Sequence, residues 1–276
     1  IEFYNRYLDI DPFSEYVWYN LGVIYFKINQ KKKAIEAYDY AIALNPAYAS
    51  AYFNKANILI NENEYINAIN SIQELLDIEP GHLSGWCFLG ECYEESKNYE
   101  KALETFQKVI KINNTHAQGW YGAGISLMNL NRNKEALTYI LKAIEFEPNN
   151  PEYWFSLAEI YEKKEHYTEA IKCYQQVVNL DANDMEAWIR LASIYIKNKE
   201  ISNSLMVLRE AYQNNFFSMD ILYMLSAVYL RLDDRDAGLR FLEKALDQGE
   251  GALHLFFRIY PEGRKDEKIQ KIIKKA

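Results

Sequence analysis

The sequence predicts an all-α fold, a solenoid of stacked helical hairpins, on three observations. A series opened by Trp18 continues at 34-residue steps through Tyr52, Trp86, Trp120, Trp154, Trp188 and Leu222, and every tryptophan of the chain lies on it. Small residues recur in the same phase. Gly22, Ala56, Gly90, Gly124, Ala158, Ala192 and Ser226 form one set, and Ala34, Ala68, Ala102, Ala136, Ala170, Ser204 and Gly238 the other. Four of the six prolines (Pro12, Pro46, Pro80, Pro148) share one place in the period. A repeat of this length denotes units that stack side by side and touch mainly their neighbours. It overrides the one or two domains that 276 residues would otherwise suggest.

Taken in order, residues 1–14 keep the phase of a second helix. Tyr4 stands where Tyr38 stands in the next unit, Tyr7 where Ala41 does, and Pro12 where Pro46 does. They are expected to be the second helix of a truncated preceding repeat, leaving Phe3, Tyr4, Tyr7 and Leu8 with part of their cover missing. Seven units fill 15–252, starting near Glu15, Ala49, Leu83, Ala117, Pro151, Met185 and Met219. Each holds a first helix of about 13 residues, a polar turn and a second helix. The turns include Asn29-Gln30-Lys31, Asn61 to Glu64, Ser96-Lys97-Asn98 and Asn129 to Asn133. Asn and Ser favour turns by bonding locally to backbone, and Asn also tolerates left-handed conformations. Proline then stops the second helix, because it lacks an N–H and its ring clashes with the preceding turn.

Small residues let helix axes approach, and the large ones beside them fill the grooves. Trp18, Leu21, Tyr25, Tyr38 and their equivalents are therefore expected in the core, which accounts for much of the excess of 23 tyrosines. The pattern weakens in residues 253–276, expected to hold a partial repeat and a C-terminal capping helix. Leu253, Phe256, Phe257 and Tyr260 resemble one more first helix, stopped by Pro261 and Gly263. From about Lys265 to Lys275, Ile269, Ile272 and Ile273 share a face. Residues 263–276 carry six basic and two acidic side chains in a chain of net charge −8.

That acidity disfavours binding to nucleic-acid phosphates. No apolar run approaches the ~20 residues of a membrane span, and with no basic stretch followed by an apolar core at residues 1–14 no signal peptide is expected in them. Cys87, Cys92 and Cys173 are odd in number and form no CxxC pair, which points to a reducing compartment rather than a disulfide framework or zinc site. His82, His116 and His166 are spread one per repeat in turns or at helix starts, so no metal site is expected. Neither is a cofactor. There is no phosphate-binding glycine loop, no G-x-S-x-G elbow and no HExxH, and the adjacent carboxylates Glu94-Glu95 and Asp233-Asp234 point in different directions on a helix. No catalytic residue is assigned.

The stretch Trp18, Leu21, Gly22, Tyr25, Ala34, Tyr38 and Pro46 has the form W-x2-L-G-x2-Y…A-x3-aromatic…P. In this the chain resembles the tetratricopeptide-repeat family over nearly its whole length. The resemblance implies a right-handed superhelix whose first helices line a concave, peptide-binding side. The lining place after the tryptophan then holds Tyr19, Phe53, Cys87, Tyr121, Phe155, Ile189 and Tyr223. One turn on come Val23, Asn57, Glu91, Ile125, Glu159, Ser193 and Ala227, and then Phe26, Ile60, Glu94, Met128, Glu162, Ile196 and Leu230. Family members that grip a C-terminal carboxylate use a Lys/Asn/Arg clamp, of which only Asn54 is matched here. The asparagine ladder of arrays attached to O-linked N-acetylglucosamine transferases begins with Asn20 and Asn54, then fails through Phe88, Gly122, Ser156, Arg190 and Met224.

The expected groove residues are thus Tyr19, Val23, Phe53, Asn54, Asn57, Glu91, Glu94, Tyr121, Ile125, Phe155, Glu159, Glu162 and Arg190. They suggest apolar anchors around an acidic band (Glu95 included), suited to a partner with basic and apolar residues. The expected function is a non-enzymatic, cytoplasmic protein-interaction scaffold. The alternative is the substrate-recruiting or regulatory array of a larger enzyme, with homo-oligomerisation through the N-terminal face as a further possibility.

Overall fold

A computed structural model of the chain describes residues 1–214 and 218–275. The described residues contain 17 α-helices, one short 3-10 helix and no strand. Helix α1 (Glu2–Leu8) precedes seven hairpins. These are α2 (Glu15–Lys27) with α3 (Lys31–Leu44), α4 (Ala49–Asn61) with α5 (Tyr65–Ile78), and α6 (Leu83–Glu95) with α7 (Tyr99–Ile112). Next come α8 (Ala117–Asn129) with α9 (Asn133–Phe146), α10 (Pro151–Lys163) with α11 (Tyr167–Leu180), and α12 (Met185–Lys197) with α13 (Ile201–Gln213). The last pair is α14 (Met219–Arg231) with α15 (Arg235–Leu246); α16 (Leu253–Ile259), a 3-10 turn (Pro261–Arg264) and α17 (Glu267–Lys275) follow. The helices form two compact units, Ile1–Glu147 and Pro148–Ala276.

The turn between the two helices of each hairpin is the same device seven times. Asn29, Asn63, Lys97, Asn131, Glu165, Lys199 and Asp233, again 34 residues apart, adopt φ between 57° and 64°. In the first turn the Gln30 N–H donates to the Tyr25 carbonyl (2.8 Å) and the Asn29 N–H to that of Phe26 (2.9 Å), and the other six repeat both bonds. This is the left-handed closure that satisfies the last carbonyls of a helix. Lys97, Glu165 and Lys199 occupy it without asparagine's tolerance, at a cost of about 1 kcal/mol each. Lys97→Gly should therefore raise stability by about 0.5–1 kcal/mol, the relieved strain exceeding glycine's extra unfolded-state entropy. Thermal melting tests it, and a lower Tm would contradict the strain argument.

Several helix starts are capped by side chains. Asn150, Asp184, Ser218 and Asp234 accept from backbone N–H groups of the first turn, which satisfies one otherwise orphaned donor each. His82 and His116, expected as solvated turn residues, do the same work: their Nδ1 atoms accept from the amides of Gly85 (2.9 Å) and Gly119 (3.4 Å).

Within each hairpin the first helix crosses its partner at the small residues. In the N-terminal unit Tyr38 is buried against Gly22, where a Cβ would lie 2.6 Å from the ring. Phe106 is held more tightly still. Cβ atoms placed on Gly90 of α6 and Gly122 of α8 would lie 2.6 and 2.5 Å from it, so glycines from two successive hairpins enclose one ring. Between hairpins, Leu59, Ile72 and Leu76 pack with Leu89 and Cys92 into a continuous core.

The tryptophans pack at the edge of the core, Trp18 and Trp86 against its buried clusters. Trp188 is buried, but the others are half-buried. Trp18, Trp86, Trp120, Trp154 and Trp188 each donate the indole N–H to the carbonyl six residues upstream, at 2.8–3.0 Å. The acceptor is at the proline place of the period, Pro12, Pro80, Asn114, Pro148 or Ala182. Each tryptophan thus ties the connecting segment back to the following first helix.

Helix α1 has no fully buried residue. Phe3 and Tyr7 are exposed, while Tyr4 and Leu8 pack on Val17 and Leu21. At the other end α16 packs on α14 and α17 on α15. Ile269 of α17 is buried, Ile272 and Ile273 are half-buried, and Arg235 pairs with Asp266 just before α17 (2.7 Å).

Candidate peptide-binding surface of the first helices

In the N-terminal unit, side chains on the first helices of successive hairpins meet one another. The Asn54 amide of α4 donates to the Tyr19 hydroxyl of α2 (3.0 Å). The Phe53 and Phe88 rings of α4 and α6 stack at 5.3 Å, with His82 against Phe53. From α8, Gln118 donates to Glu91 of α6 (2.5 Å) and the Ser126 hydroxyl to Glu94 (2.8 Å). Tyr19, Val23, Phe53, Asn54, Asn57, Glu91, Glu94, Tyr121 and Ile125 are all partly exposed, neither core nor fully solvated. Such a row of half-open aromatic, amide and carboxylate groups can accept a peptide backbone and its side chains.

Two expected lining places in this unit prove to be core. Cys87 and Met128 are buried, because α6 and α8 are drawn close at Gly90 and Gly122 around Phe106. Glu95 is exposed, and its charge lies near Tyr65 of α5.

In the C-terminal unit, Phe155 and Glu159 of α10 are half-open, and so are Ile189, Arg190 and Ser193 of α12. Phe155 meets the Tyr174 ring edge-on at 5.4 Å. Glu162 accepts from the Tyr174 hydroxyl (3.1 Å) and pairs with Lys197 of α12 (2.6 Å). Arg190 pairs with Glu186 (3.1 Å). The carboxylates here are thus largely matched by cations of the same unit, and the acidic band does not continue as sequence reasoning expects. Tyr223, Ala227 and Leu230 of α14, also expected to line the groove, are buried. Helix α16 covers that face, the Tyr223 hydroxyl donates to the Gly249 carbonyl (2.8 Å), and the Ala252 amide reaches the Met219 sulfur. The chain's own C-terminal segment thus covers the first helix of its last hairpin.

Burial raises the Glu91 carboxyl above the ordinary range, opposed by the Gln118 amide and helped by Glu95. Glu159 is likewise raised by burial, against the pull of Arg190 and Lys163. A raised carboxylate favours folding below its unfolded value, and that contribution is lost as pH rises through the folded value. Glu91→Gln, which keeps an acceptor for Gln118, should therefore raise Tm at pH 7 and lose that advantage toward pH 4.5. A variant less stable than wild type at pH 7 would contradict the burial cost.

The three cysteines are free and buried, with thiols pushed up to about 12 by burial and nearby carboxylates. Among the described residues no group of three or more His, Cys, Asp or Glu is placed to hold a metal, and no helix is long and apolar enough to cross a membrane.

The family profile described as "Cilia and flagella-associated protein 70 C-terminal domain" matches residues 46–255, about three quarters of the chain. The tetratricopeptide-repeat profile matches residues 15–48. No curated protein sequence matches the chain. Among solved structures, YrrB, described as a tetratricopeptide-repeat protein with an unusual peptide-binding site, is 18% identical, with a TM-score of 0.57 over 67% of this chain and 95% of its own. PilF of Pseudomonas aeruginosa is 15% identical, with a TM-score of 0.58 over 87% of this chain and 94% of its own. The Cut9–Hcn1 structure gives 19% identity and a TM-score of 0.59 over 82% of this chain and 45% of that one. At these identities the likeness is one of fold. Helical hairpins recurring every 34 residues, closed by one type of turn and matched by both profiles, place the chain in the tetratricopeptide-repeat family, within the group defined by the C-terminal domain of cilia and flagella-associated protein 70.

Proposed function

We propose that this chain is a non-catalytic protein-interaction scaffold that holds a peptide or helix of a partner along its first helices. The observation that carries this reading is the half-open row of side chains joining successive first helices in the N-terminal unit. There Tyr19, Phe53 and Phe88 offer aromatic anchors beside Asn54, Asn57 and Glu91. Aromatic groups held rigidly in a concave or flat surface supply most of the energy of such contacts. A peptide-binding site described for YrrB, which shares the fold, is consistent with this use of the surface.

The partner segment for the N-terminal unit is basic and partly apolar. Glu91 is costly to ionise in its half-buried position, and a Lys or Arg brought against it would offset that cost. Free, buried cysteines suit a reducing compartment, and we assign the scaffold to the cytoplasm on that ground.

Affinity capture followed by mass spectrometry, with wild type and a Glu91→Lys/Glu94→Lys variant, tests the reading. The variant should lose the partners that wild type retains, while keeping its helical circular dichroism. Equal capture of the same partners by both proteins would contradict it.

A further inference from the structure

A cavity of about 440 Å³ opens in the C-terminal unit among α10, α12 and α16. Its apolar wall is Ile189, Ile196 and Ile259, and its charged groups are Glu162, Arg190, Lys197 and Arg258. Three cations thus line it against one carboxylate. That carboxylate is already engaged twice, by Lys197 and by the Tyr174 hydroxyl. Arg190 is steadied by Glu186 on its own helix, with Glu159 also near it. Arg258, in the last turn of α16, has no ion-pair partner among the described residues and is solvent-exposed. Once the internal pairs are matched, an unmatched guanidinium remains beside an aliphatic wall. A carboxylate can meet a guanidinium through two parallel hydrogen bonds, and a neighbouring aliphatic side chain can fill the isoleucine-lined space.

We infer that this cavity receives an Asp or Glu side chain of a peptide partner, with an aliphatic residue next to it. The inference rests on the peptide-scaffold reading and assigns the C-terminal unit a preference opposite to that of the N-terminal one. It also gives α16 a second role. The helix that covers α14 supplies the recognising charge, so the closing segment of the chain is a wall of the site.

The test is selection of a random 12-residue peptide library on the full chain, wild type and Arg258→Glu. Because Arg258 is exposed, the variant should keep the wild-type Tm, which is checked first. Peptides recovered on wild type should include a class rich in Asp and Glu flanked by Leu or Ile. A synthetic member of that class should bind Arg258→Glu about tenfold more weakly, the loss of one charge-assisted contact. Its Glu-to-Gln analogue should lose a similar factor on wild type. Basic peptides from the same selection should bind wild type and Arg258→Glu alike, and Glu91→Lys/Glu94→Lys should abolish only those. Recovery of basic peptides with no acidic class, or acidic binding indifferent to Arg258→Glu, overturns the cavity assignment and leaves the scaffold reading standing. Recovery of no peptide class overturns both.

Discussion

Phe106→Ala is expected to destabilise the N-terminal unit by about 3–5 kcal/mol, the range for removing a large buried aromatic ring. Phe106 is 1% exposed, and its ring fills the space between Gly90 and Gly122. Neither glycine has a side chain that could move into the void, so the cavity stays open and the full transfer and cavity costs apply. Urea denaturation followed by circular dichroism measures the loss. A change below about 1 kcal/mol would mean that the site collapses freely and that the ring is not the joint between hairpins.

Gly90→Leu attacks the same joint from the other side. Its Cβ alone would stand 2.6 Å from the Phe106 ring, so the added side chain must push α6 away from α7. The expected loss is at least the ~1–3 kcal/mol of ordinary overpacking. The two changes should also be coupled. In a Phe106→Ala background the leucine has room, and Gly90→Leu should cost less there by about 0.5–3 kcal/mol, as for residues in direct contact. Additive losses would show that the glycine is small for some reason other than this ring.

Much of this frame was legible in the sequence because packing imposes a strict period. The 34-residue recurrence of Gly22 and Ala34, with Tyr38 or Phe106 opposite, is a steric requirement, and any helix crossing that close has to meet it. The left-handed turn was legible at Asn29, Asn63 and Asn131, where the residue type suits the conformation. At Lys97 and Glu165 only the phase could have revealed it. The tryptophans were legible only as packing groups, because an indole is both large and a donor and periodicity cannot say whether the donor is also in use. The hydrogen bond to the carbonyl six residues back answers that.

Less of the site could be read. A residue's place in the repeat tells which way it points, not what lies over it. Cys87 and Met128 have lining positions but are closed in by the tight α6–α8 approach, and Tyr223 by α16, which comes from outside the regular pattern. Charge misled for a related reason. Glu159 and Glu162 extend an acidic series along the sequence, yet Arg190 and Lys197 from the next hairpin lie beside them. Arg258 gave no signal at all, since its role depends on how α16 turns back.

Partners are expected to bind along the first helices. Site-specific photo-crosslinking tests this most directly, with a benzophenone amino acid placed at Phe53 or Phe155 on first helices and at Tyr40 or Leu141, exposed on second helices. Library-selected peptides should crosslink at Phe53 and Phe155 and leave Tyr40 and Leu141 unmodified. Crosslinking confined to Tyr40 and Leu141 would put the partner on the opposite surface and contradict the account.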